Sequence, residues 1–359
     1  MIRILTVYSK DLTPNFKPYT MDRIRWLRIS EALARLGYKV DMIVNNGKNV
    51  VQKNKNLRYI SPKRVRWEKY DIIKTLFHKG FQFLLENGAD NHPFIISKLG
   101  SVVGGKDDAK GVYFFNNLRE ELYQVQKKIA QKSRYVTILT EQSKHLWKKE
   151  FGTEDNILLV PTGVDRDVPP PYKNPYNAFK EKIAVYLGNL YSRFSQKKVN
   201  LKWQLSLNIL GRVLKKKGIR LCLIGIGDMD KLDKDAVTYL GAIENDKIWD
   251  YQYFANVGIV LAQGEVQHNE SSKIYYYLRA GLPVVSEEPV PNNNVIREAN
   301  LGFIVEYNDS KTMAERIEEA VHKKWDRQGT IEYMLKYHTW DIRVQRYYQL
   351  IEDEFSWKK

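Results

Sequence analysis

The chain has 359 residues, of which 43% are hydrophobic and 12% aromatic, so it is too long for one typical core and too apolar to be disordered. No apolar run approaches the roughly 18 residues of a membrane-spanning helix, and the first apolar stretch is too short for a signal peptide. The single cysteine, Cys222, excludes a disulfide framework and a cysteine-based zinc cluster. The composition therefore predicts a soluble, two-domain protein of a reducing compartment.

The net charge of +16 is unevenly distributed along the chain. Residues 1–170 hold 30 Lys and Arg against 18 Asp and Glu, whereas residues 171–359 hold 28 against 24. A field of one sign attracts polyanions, which include nucleic acid, anionic lipid and phosphorylated substrates. A basic surface that only keeps the protein in solution is the alternative interpretation.

Strands and helices alternate through the first half. Apolar residues at helical spacing from Trp26 to Leu36, followed by Gly37, predict a helix between two β-rich runs. A strand, a helix and a strand within about 45 residues form one βαβ unit, which opens a parallel, doubly wound sheet. The predicted elements are the strands 2–8 and 39–44 around that helix, short runs at 71–73 and 93–96, the helix 117–132, the strand 135–140, the helix 142–150 and the strand 157–160.

The alternation restarts after a proline-rich linker at residues 169–175, because three consecutive prolines do not fit a regular element. Two doubly wound halves in tandem imply a cleft between them, and ligands of open α/β sheets bind beyond the carboxyl ends of the strands. The predicted elements of this half are the strands 183–187, 220–224, 237–240, 257–261 and 283–285, and the helices 201–217, 246–254, 271–280, 311–322 and 340–355.

Two loops of the second half contain glycine at a strand end. Gly188 would let the backbone approach a ligand closely, and Arg193 and Lys198 could then neutralise phosphate oxygens. An ordinary loop with surface cations is the alternative. The second loop, Gly225 to Gly227, is a G-x-G without the third glycine of the dinucleotide fingerprint, so a plain turn is favoured over an NAD site.

The segment 265–285 is the most informative part of the sequence. Ser271 or Ser272 can cap a helix, whose first N–H groups and positive dipole end form an anion site. Lys273 in that first turn is unfavourable beside the helix dipole unless a phosphate lies there. The three tyrosines 275–277 should place at least one ring toward the cleft and the others in the core. A capped helix with an incidental lysine is the alternative.

Acidic residues of the first half are candidates for a general base. Asp107 and Asp108 lie in a glycine-containing segment, and Glu141 lies at the carboxyl end of the strand 135–140. For each of them, a surface charge or a helix cap is the alternative. The sequence has no Gly-x-Ser-x-Gly elbow, no P-loop and no His-Glu-x-x-His motif, and its six histidines show no metal-ligand spacing.

The chain resembles the glycosyltransferases of the GT-B fold in segments spread over most of its length. Residues 271–285 resemble the donor helix and following strand of that family. Three further segments are similar to the exit from the N-terminal domain (157–165), to the first strand and loop of the C-terminal domain (186–190), and to the start of the terminal helix that crosses back (340–344).

This resemblance implies two Rossmann-like, doubly wound domains that face each other across a cleft. The acceptor domain would be 1–168 with the helix 340–359 packed on it, and the donor domain 176–338. A nucleoside-diphosphate sugar would bind the C-terminal domain, and no metal ion or cofactor is expected. Taken with the patterns above, the expected donor-binding residues are Gly188, Arg193, Lys198, Glu270, Ser272, Lys273 and Tyr276.

One departure from the family refines the expectation. Many retaining members have a glutamate where Tyr276 stands, and the pattern here is closer to the xanthan-type glucuronosyltransferases, which are inverting and act on polyprenyl-diphosphate-linked oligosaccharides. By that likeness Lys273 would hold the diphosphate of a UDP-sugar, with UDP-glucuronate as one option. A lipid-linked oligosaccharide or a polysaccharide would be the acceptor, and the base would be an aspartate of the N-terminal domain, Asp107 or Asp108, with Glu141 kept as a candidate from its position alone.

The basic first half also predicts contact with an anionic membrane. Arg23, Arg25 and Arg28 beside Trp26, and the basic-aromatic stretch 74–83, could meet headgroups, with core packing of the rings as the alternative. We therefore expect a cytoplasmic protein, peripheral at the inner face of the cell membrane. The rival functions are a sugar-nucleotide epimerase, a non-catalytic donor-binding relative, and a nucleic-acid-binding protein, for which no recognised motif is present.

Overall fold

The computed structural model describes residues 1–9, 20–44, 50–105, 116–167, 169–190, 197–227, 229–245 and 247–358. The chain divides into two compact units, each built on its own sheet. The first unit comprises Met1–Asp108, Asn117–Arg166 and Thr339–Lys359, and the second contains Asp167–His338.

The first unit has an eight-stranded sheet in the order β3-β4-β2-β1-β5-β6-β7-β8, and every neighbouring pair is parallel except β3 and β4. Its strands are β1 (Arg3–Val7), β2 (Lys39–Ile43), β3 (Val50–Gln52), β4 (Leu57–Ile60), β5 (Ile72–Leu76), β6 (Ile95–Lys98), β7 (Tyr135–Ile138) and β8 (Ile157–Leu159). Its helices are α1 (Met21–Arg35), α2 (Phe77–Glu86), α3 (Asn116–Lys132), α4 (Glu141–Phe151) and, from the end of the chain, α11 (Trp340–Glu354).

The second unit has a six-stranded, wholly parallel sheet in the order β11-β10-β9-β12-β13-β14. Its strands are β9 (Lys182–Leu187), β10 (Ile219–Ile224), β11 (Val237–Tyr239), β12 (Val257–Val260), β13 (Val284–Glu287) and β14 (Gly302–Val305). Its helices are α5 (Lys197–Lys216), α6 (Ile248–Tyr253), α7 (Ser272–Arg279), α8 (Asn294–Glu298), α9 (Ser310–His322) and α10 (Arg327–Tyr337).

The C-terminal helix α11 packs on the first unit, far in sequence from the elements that it covers. Trp340 and Tyr347 are buried in the same hydrophobic cluster as Trp26 of α1. Gly163 makes room for this packing, because a Cβ there would lie 2.7 Å from the Trp340 ring. The helix begins where the Thr339 hydroxyl accepts a hydrogen bond from the Ile342 N–H at 3.3 Å.

A lysine is buried beneath the same helix. Lys74, in the middle of β5, is only 4% exposed, and its ammonium lies 4.7 Å from the centre of the Tyr347 ring. No carboxylate in the described part of the chain forms an ion pair with it. Burial disfavours the charged form and lowers the pKa of Lys74 to about 7.

The structure contradicts one part of the membrane contact predicted for the first half, the exposure of the Trp26 and Phe81 rings, whereas contact of this half with an anionic surface stays a prediction. Trp26 and Phe81 are core residues, so neither ring is available to a bilayer. Arg25 is buried and donates to the Thr162 hydroxyl at 2.5 Å, while Arg28 forms a 2.7 Å ion pair with Asp165. The local run of cations and aromatic rings suggested a membrane-binding surface, but the Trp26 and Phe81 rings lie on the faces of their helices that pack against the core.

The alternation of strands and helices predicted for both halves is confirmed, and residues 169–175 form no helix or strand. Six elements were not predicted from the sequence, namely β3, β4, α2, α8, β14 and α10. Most of them have three to five residues, so they contain too few apolar positions to show a period. The longer α10 includes Gly329 and Thr330, which weaken its helical pattern.

Candidate functional site

Tyr277 fixes helix α7 against the end of strand β9. Its hydroxyl accepts a hydrogen bond from the Leu187 N–H at 2.8 Å and donates to the Val185 carbonyl at 3.3 Å. Its ring lies on Gly258 of β12, where a Cβ would come within 2.5 Å of a ring carbon. A glycine in the middle of this strand therefore lets α7 approach the sheet closely.

Lys273 lies one turn before Tyr277, on the same side of α7, so its side chain also reaches the end of β9. A Cβ on Gly188 would lie 2.9 Å from the Lys273 Cε, so Lys273 would have to shift if any other residue stood there. The Lys273 ammonium is 5.2 Å from the centre of the Tyr186 ring. Lys273 is half-buried, and this burial lowers its pKa to about 8.

The first turn of α7 presents backbone donors next to that cation. The N-cap residue Ser271 makes no side-chain cap hydrogen bond. Its own N–H donates to the Asn292 side-chain oxygen at 2.7 Å, and its carbonyl accepts from the Asn292 amide at 3.0 Å. The N–H groups of Ser272 and Lys273 have no acceptor within the helix, so the dipole end and the ammonium point to an anion site.

The three tyrosines of α7 divide as their helical positions require. Tyr275 and Tyr277 are buried, whereas Tyr276 is only half-buried. The Tyr275 hydroxyl donates to the buried carboxylate of Glu270 at 3.1 Å. Glu270 and Ser272 thus flank the N-terminus of α7, and the structure brings Gly188, Glu270, Ser272 and Lys273 to the carboxyl end of one sheet.

The sequence reasoning missed two residues that hold the loop before α7. The buried carboxylate of Glu287 accepts hydrogen bonds from the N–H groups of Ala262 at 2.8 Å and Asn308 at 3.0 Å, and burial raises its pKa. Asn292 is the second, through its contacts with Ser271. An acid two residues after the apolar run 282–285 was the available signal for Glu287, whereas nothing local distinguishes Asn292 from its neighbouring asparagines.

The glycines of the G-x-G sequence serve backbone packing. A Cβ on Gly225 would collide with the carbonyl oxygen of Gly188, and one on Gly227 would collide with that of Leu190. The Leu190 N–H donates to the Ile226 carbonyl at 2.7 Å. These contacts join the turns after β9 and β10, in agreement with the prediction of a plain turn.

The remaining predicted site residues divide into two groups. Glu141 is the exposed first residue of α4, directly after Thr140, whose hydroxyl caps this helix by accepting from the Ser143 N–H at 3.1 Å. Its role as a base stays a prediction. Outside the described residues lie Asp107, Asp108, Arg193 and the side chain of Lys198.

Metal independence also stays a prediction. The second half contains two Asp-x-Asp sequences, 228–230 and 233–235. Asp233 forms a 2.7 Å ion pair with Arg212 of α5 and accepts from the Asp235 N–H at 3.0 Å. Within the described ranges, no three His, Cys, Asp or Glu side chains lie close enough together to hold a metal ion.

A family model described as "Glucosyltransferase 3-like, C-terminal domain" matches residues 208–329, which include α7. Comparison with curated proteins finds no match. Among solved structures, the chain is similar to sucrose-phosphate synthase of Thermosynechococcus elongatus, with 16% identity, a TM-score of 0.73, and coverage of 99% of this chain and 100% of that one.

Two further structures align over nearly their whole lengths. WaaG, a glycosyltransferase involved in lipopolysaccharide biosynthesis, has 15% identity and a TM-score of 0.61, with 98% of this chain and 99% of that one covered. Anabaena HepE in complex with UDP has 12% identity and a TM-score of 0.63, with 99% and 100% covered. The fold is therefore GT-B, as the resemblance implied. The matched glucosyltransferase-like domain and this fold together support a glycosyltransferase enzyme.

Proposed function

We propose that the protein transfers a sugar from a nucleoside-diphosphate donor to an acceptor hydroxyl, and that the diphosphate binds at the N-terminus of α7. The observation that carries this proposal is the position of Lys273. Its ammonium lies beside a helix N-terminus and above a glycine, where a backbone and a cation can both reach phosphate oxygens. A cation at the positive end of a helix is unfavourable by itself, and a bound anion removes that penalty.

The donor is proposed to be a UDP-sugar, with UDP-glucuronate as the first to test. Support for uridine as the nucleoside of the donor comes from the structural similarity to HepE, which was solved in complex with UDP. The acceptor is proposed to be a lipid-linked oligosaccharide or a polysaccharide, at the cytoplasmic face of the membrane. Support for that class comes from the similarity to WaaG, a protein of lipopolysaccharide biosynthesis.

The proposed reaction is an inverting displacement. The acceptor oxygen forms a bond to the anomeric carbon while the bond from that carbon to the diphosphate oxygen breaks, and the acceptor proton passes to a carboxylate, for which Asp107, Asp108 and Glu141 are the candidates. The nucleoside diphosphate leaves with increased negative charge. Lys273, the first N–H groups of α7, Arg193 and Lys198 would stabilise that charge without a metal ion.

The test is donor turnover by a Lys273→Ala variant, with Lys311→Ala as the matched control. Lys311 is the second residue of α9, as Lys273 is of α7, and it is exposed. Loss of one charge stabiliser should lower transfer roughly 10- to 1000-fold for Lys273→Ala and leave Lys311→Ala unchanged. Equal turnover in all three proteins would refute the assignment. Conversion of the donor with no acceptor present would favour an epimerase.

A further inference from the structure

Helix α5 exposes a row of large apolar side chains on its outer face. Leu201, Leu205 and Ile209 are 42%, 49% and 51% exposed, and their four-residue spacing aligns them along the helix. The opposite face carries Leu207, Leu210 and Leu214, which are buried in the core of the second unit. Surface helices normally present polar residues outward, so we expect a binding partner to cover this exposed apolar row.

The same row continues into cations. Arg212 follows Ile209 by three residues, Lys216 follows Arg212 by four, and both side chains are exposed. The sequence of α5 contains six Lys and Arg and no acidic residue. Arg212 pairs with Asp233 at 2.7 Å and Lys215 donates to the Asp235 carbonyl at 3.1 Å, whereas no acidic side chain pairs with Lys216 within the part of the chain described here.

We propose that this face of α5 docks on an anionic lipid bilayer. Three half-exposed side chains offer far less than the roughly 800 Å² per partner of a stable protein interface, which disfavours a second copy of the chain. Antiparallel pairing of two α5 helices would also bring like charges together. A bilayer instead accepts a narrow apolar row at the boundary of headgroups and acyl chains, and its phosphates attract the adjacent cations.

Docking through this surface would bring the enzyme to the membrane that holds the proposed lipid-linked acceptor, and this role of the surface rests on the proposed function. It lies on the second unit, not on the basic first unit where the sequence suggested membrane contact. Among the described residues, no helix is long and apolar enough to cross a membrane.

Flotation with phosphatidylcholine vesicles, with and without phosphatidylglycerol, tests the proposal on the full chain. The double variant Leu205→Gln/Ile209→Gln removes two of the three apolar side chains. The control is Ile342→Gln on α11, where Ile342 is 42% exposed. We expect salt-sensitive binding of the unmodified protein to phosphatidylglycerol vesicles, at least tenfold weaker binding of the double variant, and no change in the control.

Three results would overturn the docking surface. The first is that the unmodified protein does not bind phosphatidylglycerol vesicles, and the second is that the double variant binds them equally well. The third is that light scattering shows a dimer for the unmodified protein and the control but a monomer for the double variant. The thermal shift caused by a UDP-sugar is measured on the same proteins. A shift retained without vesicle binding refutes only the docking surface, whereas no shift in any of them refutes the proposed donor site.

Discussion

The affinity of the protein for a UDP-sugar should fall as the pH rises above 8, because Lys273 must be protonated to bind a diphosphate. Burial lowers the pKa of this lysine to about 8 in the free protein, whereas a lysine in water titrates near 10.4. Below pH 8 the ammonium is present in most molecules. Above it, each further pH unit removes about nine-tenths of the protonated form, and the donor must bind together with a proton.

The magnitude follows from that titration. The apparent dissociation constant scales with one plus the ratio of neutral to charged lysine, which is about 0.1 at pH 7 and about 10 at pH 9 for a pKa of about 8. The affinity should therefore weaken about tenfold between pH 7 and pH 9. At pH 7, replacing the lysine with Met should weaken binding by about tenfold or more, the value of one charge-assisted contact.

Isothermal titration calorimetry of a UDP-sugar at several pH values measures this slope in the unmodified protein, Lys273→Met and Lys311→Met. Ionisation of the ligand affects all three proteins equally, so the difference between them isolates the lysine. The Lys273→Met variant should bind weakly and with no additional loss above pH 8, while Lys311→Met should match the unmodified protein. If the steep decline persists in Lys273→Met, another group carries the titration and the assignment of Lys273 is wrong.

Three further perturbations test the architecture around this site. Between about pH 7 and 10.5, Lys74 is neutral in the folded protein and charged in the unfolded chain, so the free energy of unfolding should rise with pH by up to about 1.4 kcal/mol per unit. Lys74→Met should remove that rise and stabilise the protein at pH 7. Urea denaturation measures both effects. Tyr277→Phe leaves the Leu187 N–H without its acceptor and should cost about 1–3 kcal/mol in the same assay. Asn292→Ala releases both backbone groups of Ser271 and should weaken UDP-sugar binding more than it lowers the melting temperature, which calorimetry and a thermal melt compare directly.

The sequence was sufficient for α7 because the signals for that element are local. A serine before the apolar periodicity, a lysine in the first turn and Gly281 after the last turn predict both ends of the helix to within a residue or two. The contact between Lys273 and Gly188 could not be predicted from those signals. It depends on the strand order β10-β9-β12, which brings two residues that are 85 positions apart in sequence together at the carboxyl ends of the strands.

Polar residues with distant backbone partners were the main omission. Glu287 accepts from Ala262 and Asn308, and Asn292 pairs with Ser271, so each acts on a loop that approaches only after the sheet has formed. Aromatic and basic residues were misplaced for a related reason. A count of cations and rings does not reveal which face of an element packs inward, and Trp26 lies on the buried face of its helix.

Lys74 and Lys273 show why burial alone does not identify a binding site. Burial lowers the pKa of both lysines, and neither pairs with a carboxylate among the residues that the structure describes. Lys74 lies in the middle of β5 with its ammonium 4.7 Å from the centre of the Tyr347 ring, so its burial costs stability. Lys273 lies in the first turn of α7, where the helix dipole opposes a positive charge until an anion arrives. A nucleoside diphosphate would satisfy the ammonium and the helix N–H groups together, which is the physical reason for placing the donor there.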